Sequence, residues 1–515
     1  MTLTFTAAHC VYSLHNKSFN CIARLHSTPD EVTSEKSTML TKTASQSLTE
    51  QLCARFADRI RSRLMAPGMR LPSVRLCAQQ QGVSVSTVVA AYDQLQAQGL
   101  VVARRNRGFF VRDLASDMPF PQAGKALLAP EKIANPANAP VDAAALMRGM
   151  FHAVSDKPQP GMGVFPADWL DNRFLPAAVR KVTGASVLRN ASLHYGEPKG
   201  DSGLRRALSQ KLATLNIPAP PTQIITTVGA THALDIISRT LLRPGDCVMV
   251  EEPGWAVEFA RLDALGMRIL PVPRRADGPD LDMMAQYCQL HGPKLFVSVS
   301  VFHNPTGHCL SPGSAHRLLQ LAGQHDFYIA EDDTYSHLAP DHATRLCALD
   351  GLQRTLYVSG FSKILAPGWR VGYLAAPADL TERLLDTKLL ATLTTPALLE
   401  QALAWCIDQG QLRRHAERIR GRLDQARGRS ARLALAHGCT FAAEPAGLFG
   451  WVDTGVDTDA LAQRMLDEEY LIAPGSLFHA LRKPGSLMRI NFATTQDAAF
   501  WKVFARLRDG MRCKG

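Results

Sequence analysis

Between Ser47 and Val111 the apolar residues recur at helical and then at strand-like spacing. Leu48, Leu52, Phe56, Ile60 and Leu64 are four apart, the stripe of an amphipathic helix, and Ser47 with Glu50 forms a capping box in front of it. Pro67-Gly68 stops that helix. The run "LPSVRLCAQQQGV" predicts a second helix, starting at Ser73 and stopping at Gly82. The run "SVSTVVAAYDQLQAQGL" predicts a third, capped by Ser84, with Val88, Ala91, Tyr92 and Leu95 inward and Gly99 as its stop. "VVARRNRGFFV" reads as two short strands around a basic tip. Helix, short helix, turn, helix and basic hairpin make a winged helix-turn-helix pattern. In such a unit the third helix enters a major groove with its N-terminal residues nearest the bases. The hairpin arginines Arg104, Arg105 and Arg107 then meet phosphates. Three small helices and a hairpin also build protein-binding modules, and pattern alone leaves both readings open.

From residue 158 the pattern becomes strand and helix in alternation. "QIITTV" precedes "GATHALDIISRTLL", "DCVMVEEP" precedes "WAVEFARLDALG", and "KLFVSVSVF", "FYIAEDD" and "TLYVSG" each precede a turn. Such alternation predicts an α/β fold, a mainly parallel sheet covered by helices. Residues 114–157, rich in Pro and Ala, read as an extended linker or as an arm packed on the next domain. Residues 1–45 lack an apolar segment with a small-residue cleavage site, so a disordered leader, or a true start near Met39, is expected there. The domains predicted are a leader (1–45), a DNA-binding head (46–113), a linker (114–157) and a large domain (158–515).

Composition narrows this further. The chain has 515 residues, 46% of them hydrophobic, enough for a large core, and no run of about 18 uncharged apolar residues that would span a membrane. Its eleven cysteines are odd in number, scattered and never paired as CxxC. That points to a reducing compartment, hence the cytoplasm, and away from a disulfide frame or a metal site. The net charge is +11, and Ser47 to Asp113 holds ten arginines against four acidic residues, a net of +6. Either a polyanion partner or a solvated basic face accounts for that bias.

The chemistry-bearing residues fall where strands end, the place where α/β sheets hold ligands. Gly229-Ala230-Thr231 lies between a strand and a helix and offers free N–H groups to an anion. Trp255 follows the next strand, Asn304 follows "LFVSVSVFH", Asp332 follows "FYIAE" with Tyr335 three residues on, and Ser362, Lys363 and Arg370 follow "TLYVSG". One such residue means little, since NPTG alone is a common turn and a lone lysine is usually solvated. Together they fit pyridoxal 5′-phosphate. Lys363 is the amine for its aldehyde, Asp332 the anion beside its ring nitrogen, and Asn304 and Tyr335 the donors to its phenolic oxygen. Trp255 is the platform for the ring face, and Ser362, Arg370 and the helix N-terminus hold the phosphate.

Two resemblances sharpen these expectations. "PGMRLPSVRLCAQQQGVSVSTVVAAYDQLQAQGLVVARRNRGFFV" resembles the GntR family of bacterial repressors. That likeness implies DNA contacts from Arg75 and from Ser84, Ser86 and Thr87, with Val85 standing where the family has arginine. The order "YGEPKGDSGLRRAL", "GATHAL", "EEPGW", "HNPTG", "DDTY", "SGFSKILAPGWRVGY" and "RINFA" resembles the fold-type I aminotransferases over roughly 350 residues. It implies a smaller C-terminal α+β subdomain, Tyr195 reaching the partner subunit's phosphate, and Arg489 gripping a substrate carboxylate. Gly360 departs from that pattern, so one phosphate hydroxyl contact is lost or supplied by Ser359. The two halves together resemble the MocR subfamily. This implies a homodimeric regulator of double-stranded DNA that responds to the coenzyme and to an amino acid or related amine. A working aminotransferase with a DNA-binding head is the rival.

Overall fold

The structure is a computed structural model. It describes residues 47–61, 65, 67–104, 107–112, 157–170, 173–184, 186, 188–189 and 193–512. The leader, nearly all of the linker, Leu64 and Arg105 lie outside the described residues.

The head follows its hydrophobic spacing. Helices α1 (Leu48–Arg61), α2 (Val74–Gln81) and α3 (Val85–Ala97) precede a hairpin of β1 (Val101–Arg104) and β2 (Gly108–Val111). The capping box forms as predicted: Ser47 N donates to Glu50 Oε2 at 2.8 Å and Glu50 N to Ser47 Oγ at 3.2 Å. Leu52, Phe56 and Ile60 from α1 bury against Val88, Tyr92 and Leu95 from α3. Tyr92 sits edge-on between Phe56 and Phe109, and its hydroxyl donates to Pro72 O at 3.0 Å, so this buried phenol keeps a partner. Serine caps start α2 and α3, and Gly82 ends α2 in the left-handed conformation.

The large unit holds a seven-stranded sheet. Its strands are β3 (Ile224–Thr227), β4 (Cys247–Glu252), β5 (Arg268–Pro273), β6 (Leu295–Ser298), β7 (Tyr328–Asp332), β8 (Thr355–Gly360) and β9 (Gly372–Ala375), in the order β3-β9-β8-β7-β6-β4-β5. Six strands run one way and β9 alone runs against them. All six residues of β8 are buried, as a strand covered by helices on both faces requires. A 26-residue helix, Gln411–Ala436, leads into a smaller antiparallel sheet. That sheet comprises β10 (Thr440–Phe441), β11 (Phe449–Asp453), β12 (Ala473–Pro474) and β13 (Leu487–Asn491), in the order β10-β11-β13-β12. The C-terminal ends of β7 and β8 and the middle of β13 border one cleft.

Candidate functional site

Lys363 stands three residues past β8, in the turn that follows Gly360. Its Nζ donates to Gly163 O at 2.7 Å, a carbonyl in the segment that enters the large unit. Burial, and next the nearby Arg489 guanidinium, push this ammonium down to about 8. Asp332 closes β7. Its Oδ1 accepts from Thr334 N at 3.0 Å and from the Thr334 hydroxyl. Burial nevertheless pushes this carboxyl up to about 6. The neighbouring Asp333 is also buried, but Arg345 donates to it at 2.6 Å and the Tyr357 hydroxyl at 2.9 Å. Of two adjacent aspartates, only Asp332 is left with no cation bonded to it among the described residues.

Arg489, on β13, is only 3% exposed. Its Nη1 donates to Asn304 Oδ1 at 2.9 Å and its Nη2 to Gly161 O at 2.6 Å, while Nε is buried with no partner among the described residues. The guanidinium lies 4.2 Å from the Phe449 ring centre and 5.1 Å from that of Phe478. Burial lowers it to about 10. Tyr335 packs edge-on to Phe449 at 5.7 Å, and burial pushes its phenol up. Trp255 is half-buried at the start of the helix Ala256–Ala264.

A third cation is Arg370, which meets Ser362. Arg370 holds a positive φ of 52° and donates to Val228 O at 3.0 Å and to Ser362 Oγ at 3.3 Å. It has no carboxylate in ion-pair range among the described residues. Gly229 caps the helix Ala230–Leu241 at φ 82°, and a Cβ there would come within 2.6 Å of Arg370 Nη2. Only glycine leaves that cradle open. Ala230 and Thr231 form the first turn of the helix, whose N–H groups have no intrahelical partners. A cup of this kind, with one unpaired guanidinium, one hydroxyl and a helix N-terminus, suits a phosphate.

The predicted cluster is therefore brought together, with three qualifications. Ser359 does not face the cup: it is fully buried and donates to Asp333 O at 2.9 Å, so it does not replace the hydroxyl missing at Gly360. Tyr195 is 81% exposed and meets no part of this chain's cleft. The carbonyls of Gly161 and Gly163 and the rings of Phe449 and Phe478 were not foreseen. Only the glycine pair in "PGMGVF" hinted at a close approach.

In the head, Ser84 Oγ accepts from Thr87 N at 3.1 Å and lies 2.8 Å from the hydroxyls of Ser86 and Thr87. Val85 beside them is 51% exposed, and Arg75 and Arg107 are exposed too. Arg104 lies over the Phe110 ring at 4.7 Å, and its carbonyl accepts from Arg107 N at the hairpin tip.

The residues of the cleft fit pyridoxal phosphate on the chain's own chemistry: a half-buried carboxylate with no cation bonded to it among the described residues, a lysine whose ammonium is disfavoured by burial, a cradle closed to any Cβ, and an orphaned guanidinium nitrogen. Comparisons with known proteins agree with that architecture. Residues 168–507 match the family of aminotransferases class I and II, and residues 48–111 match the bacterial regulatory proteins of the gntR family. The HTH-type transcriptional regulator YdcR of Escherichia coli is 29% identical over 86% of this chain and 94% of its own. Aromatic-amino-acid aminotransferase 1 of Thermococcus litoralis is 29% identical over 62% of this chain and 80% of its own. The kynurenine aminotransferase of Pyrococcus horikoshii, solved with PMP, superposes with a TM-score of 0.64 at 25% identity, covering 72% of this chain and 94% of that one. The chain belongs to the aminotransferase class I and II family, in the MocR-type arrangement that places a gntR-type helix-turn-helix domain ahead of the aminotransferase fold.

Proposed function

We propose that this protein is a pyridoxal phosphate-dependent transcriptional regulator whose DNA binding responds to an amino compound. The observation that carries the reading is the uncompensated charge of the cleft, set on a chain that also carries a DNA-binding head. Bound pyridoxal phosphate would supply an electrophilic aldehyde able to bond an amine. Lys363 would be that amine in the absence of effector. Asp332 would hold the ring nitrogen protonated, Asn304 and Tyr335 would orient the ring through its phenolic oxygen, and Trp255 would cover its face. Ser362, Arg370 and the first turn at Ala230 and Thr231 would hold the phosphate. Arg489, freed from Gly161 O, would take the effector's carboxylate in bidentate fashion, which selects an amino acid or a close relative.

A homodimer built by the large domains would complete this arrangement. Tyr195 is largely exposed, and Leu193, Leu390 and Leu393 are also exposed. A partner subunit there would cover apolar surface and bring Tyr195 to the second phosphate cup. Two large domains also present two heads, hence paired DNA half-sites, with Arg75, Ser84, Ser86, Thr87, Arg104, Arg105 and Arg107 as the DNA-facing set. Residues 46–113 would form the head, 114–157 the linker and 158–515 the large domain, acting in the cytoplasm, where the cysteines stay reduced.

The test is a visible absorbance spectrum of the purified protein beside Lys363→Ala, followed by DNA affinity with and without coenzyme and amino acids. A lysine-dependent band and a shifted DNA isotherm are expected; identical isotherms under all conditions end the reading. The intact Lys363, Asp332 and Arg489 equally suit an aminotransferase, and sustained conversion of amino donor and keto acid at micromolar enzyme would favour that reading instead.

A further inference from the structure

Two cations of the cleft are held by the backbone of one short strap, residues 157–164. Gly163 O takes Lys363 Nζ and Gly161 O takes Arg489 Nη2. The carbonyls between and beyond them, Met162 O and Val164 O, both accept from Asn491 Nδ2. The strap also pairs with the segment that precedes β12. Gly161 N donates to Leu471 O at 2.7 Å, and Leu471 N donates to Gln159 Oε1 at 2.7 Å. A Cβ on Gly161 would stand 2.6 Å from the Ile472 carbonyl carbon, so the two backbones touch. Gln159 Nε2 donates to Glu469 O at 3.2 Å, and Lys157 Nζ donates to Glu468 O at 3.0 Å and lies 3.6 Å from Glu469 Oε2. Glu469 is where the head attaches: Arg55 of α1 donates to its Oε1 at 2.7 Å. One turn along α1, Arg59 donates to Leu466 O at 2.7 Å and pairs with Asp467 at 3.3 Å.

We infer that the strap 157–164 couples occupancy of the cleft to docking of the head on the turn 466–469. This rests on the regulatory reading above and assigns its structural link. The argument is competition for donors. When Lys363 is bonded to a carbonyl compound in the absence of effector, its amine no longer serves Gly163 O as a free ammonium; an amine that takes its place releases it again. When a carboxylate sits on Arg489, Nη2 no longer serves Gly161 O. Each loss leaves a strap carbonyl without its charged donor, and a buried acceptor stripped of a charge-assisted bond is destabilised by more than an ordinary hydrogen bond is worth. The strap then leans on neutral bonds from Asn491, on Gln159 and Lys157, and on the Leu471 pairing. Gln159 and Lys157 are the same groups that hold the backbone of Glu468 and Glu469 beneath Arg55. Ligand and head therefore draw on a shared set of contacts, and reciprocity follows: DNA that withdraws the head alters ligand affinity by the same factor.

Hydrogen exchange on the full-length protein tests this. The probes are pyridoxal 5′-phosphate alone, then the coenzyme with an equal mixture of the standard amino acids. Peptides covering 157–164, 466–473 and α1 are followed. In the wild type all three are expected to exchange about five-fold faster or more with the full mixture, the low end of ordinary coupling. In Gln159→Ala the strap should respond while α1 does not. The double change Arg55→Ala with Arg59→Ala, which removes both cations of α1 from the turn, should leave both the strap and 466–473 responsive and silence α1. A wild type whose α1 ignores the ligands, or a Gln159→Ala protein whose α1 responds as the wild type does, overturns the strap. If exchange responds as expected while DNA affinity does not, the regulatory reading fails and the strap stands.

Discussion

Replacing Asp332 with asparagine should make the ligand-free protein more stable, an unusual outcome for an acid placed to hold a cofactor. Burial lifts this carboxyl from its ordinary 3.8 to about 6. A shift of about two units corresponds to roughly 3 kcal/mol of unfavourable burial for the charged form. The side of the carboxylate that faces the cleft keeps some solvent, and Lys363 loses a weak attraction in the variant, so the gain comes to about 2 kcal/mol. The asparagine side chain retains the oxygen that accepts from Thr334 N, so that hydrogen bond is not sacrificed. The sign with pH follows from the raised value. A carboxyl with a raised folded pKa destabilises the native state only when ionised, so the penalty is full above about pH 6 and gone below about pH 4. Thermal unfolding of the apoprotein at pH 8 should therefore show Asp332→Asn melting about 3 °C higher, and the difference should fade as pH falls through 6. With saturating coenzyme the advantage should disappear, because asparagine offers no charge to a protonated ring nitrogen; an affinity loss of about 30-fold corresponds to about 2 kcal/mol, which offsets the gain. A variant that melts lower than wild type at pH 8, or whose gain is the same at pH 4.5, refutes the argument.

Three further outcomes follow. Lys363, lowered to about 8, is still mainly an ammonium at pH 7 and mainly a neutral amine above pH 8, so the rate of coenzyme capture, followed by visible absorbance, should rise through pH 8 and level off instead of climbing toward 10. Arg489→Lys keeps a positive charge but loses the planar fork, so carboxylate-bearing amines should bind at least about ten-fold more weakly by absorbance titration while coenzyme affinity holds. Arg107→Ala should weaken DNA binding to any sequence alike and lower the slope of log K against log salt by about 0.9, read by fluorescence anisotropy across a salt series.

The parts of this protein that were legible in its sequence are those in which a local signal and the global fold agree. Ser47, Ser73 and Ser84 announced three helix starts because a capping hydroxyl acts within three residues. Lys363, Asp332 and Asn304 could be placed because strand ends are local and parallel sheets put ligands there. What could not be read was set by contacts far apart in the chain. The assignment of Asp332 came from its place in the motif; that Arg345 pairs with the adjacent Asp333 is a contact the doublet itself does not reveal. The reversed direction of β9 depends on the turn around Arg370, whose left-handed backbone no propensity would assign to arginine. The role of Gly161 is fixed by the backbone at Ile472, far along the chain. Backbone carbonyls that hold cations leave no side-chain signature at all.

The intact cleft does not by itself separate a regulator from an enzyme, since both need the same residues to hold the coenzyme and the amine. They differ in where the binding free energy goes. An enzyme gains rate only from contacts that are stronger in the transition state than in the ground state. A switch needs contacts that differ between two resting arrangements of the protein, whatever happens to the ligand afterwards. Arg489 has such a difference built in, because its Nη2 already has a backbone partner that a carboxylate must replace. The exchange weakens affinity for the ligand and accelerates no bond-breaking step. On the coupling inferred above it would loosen a segment that is bonded to Glu469 and so to the head. The geometry thus directs ligand binding energy toward the DNA-binding domain, and that use of it is what a regulator requires and a transaminase does not.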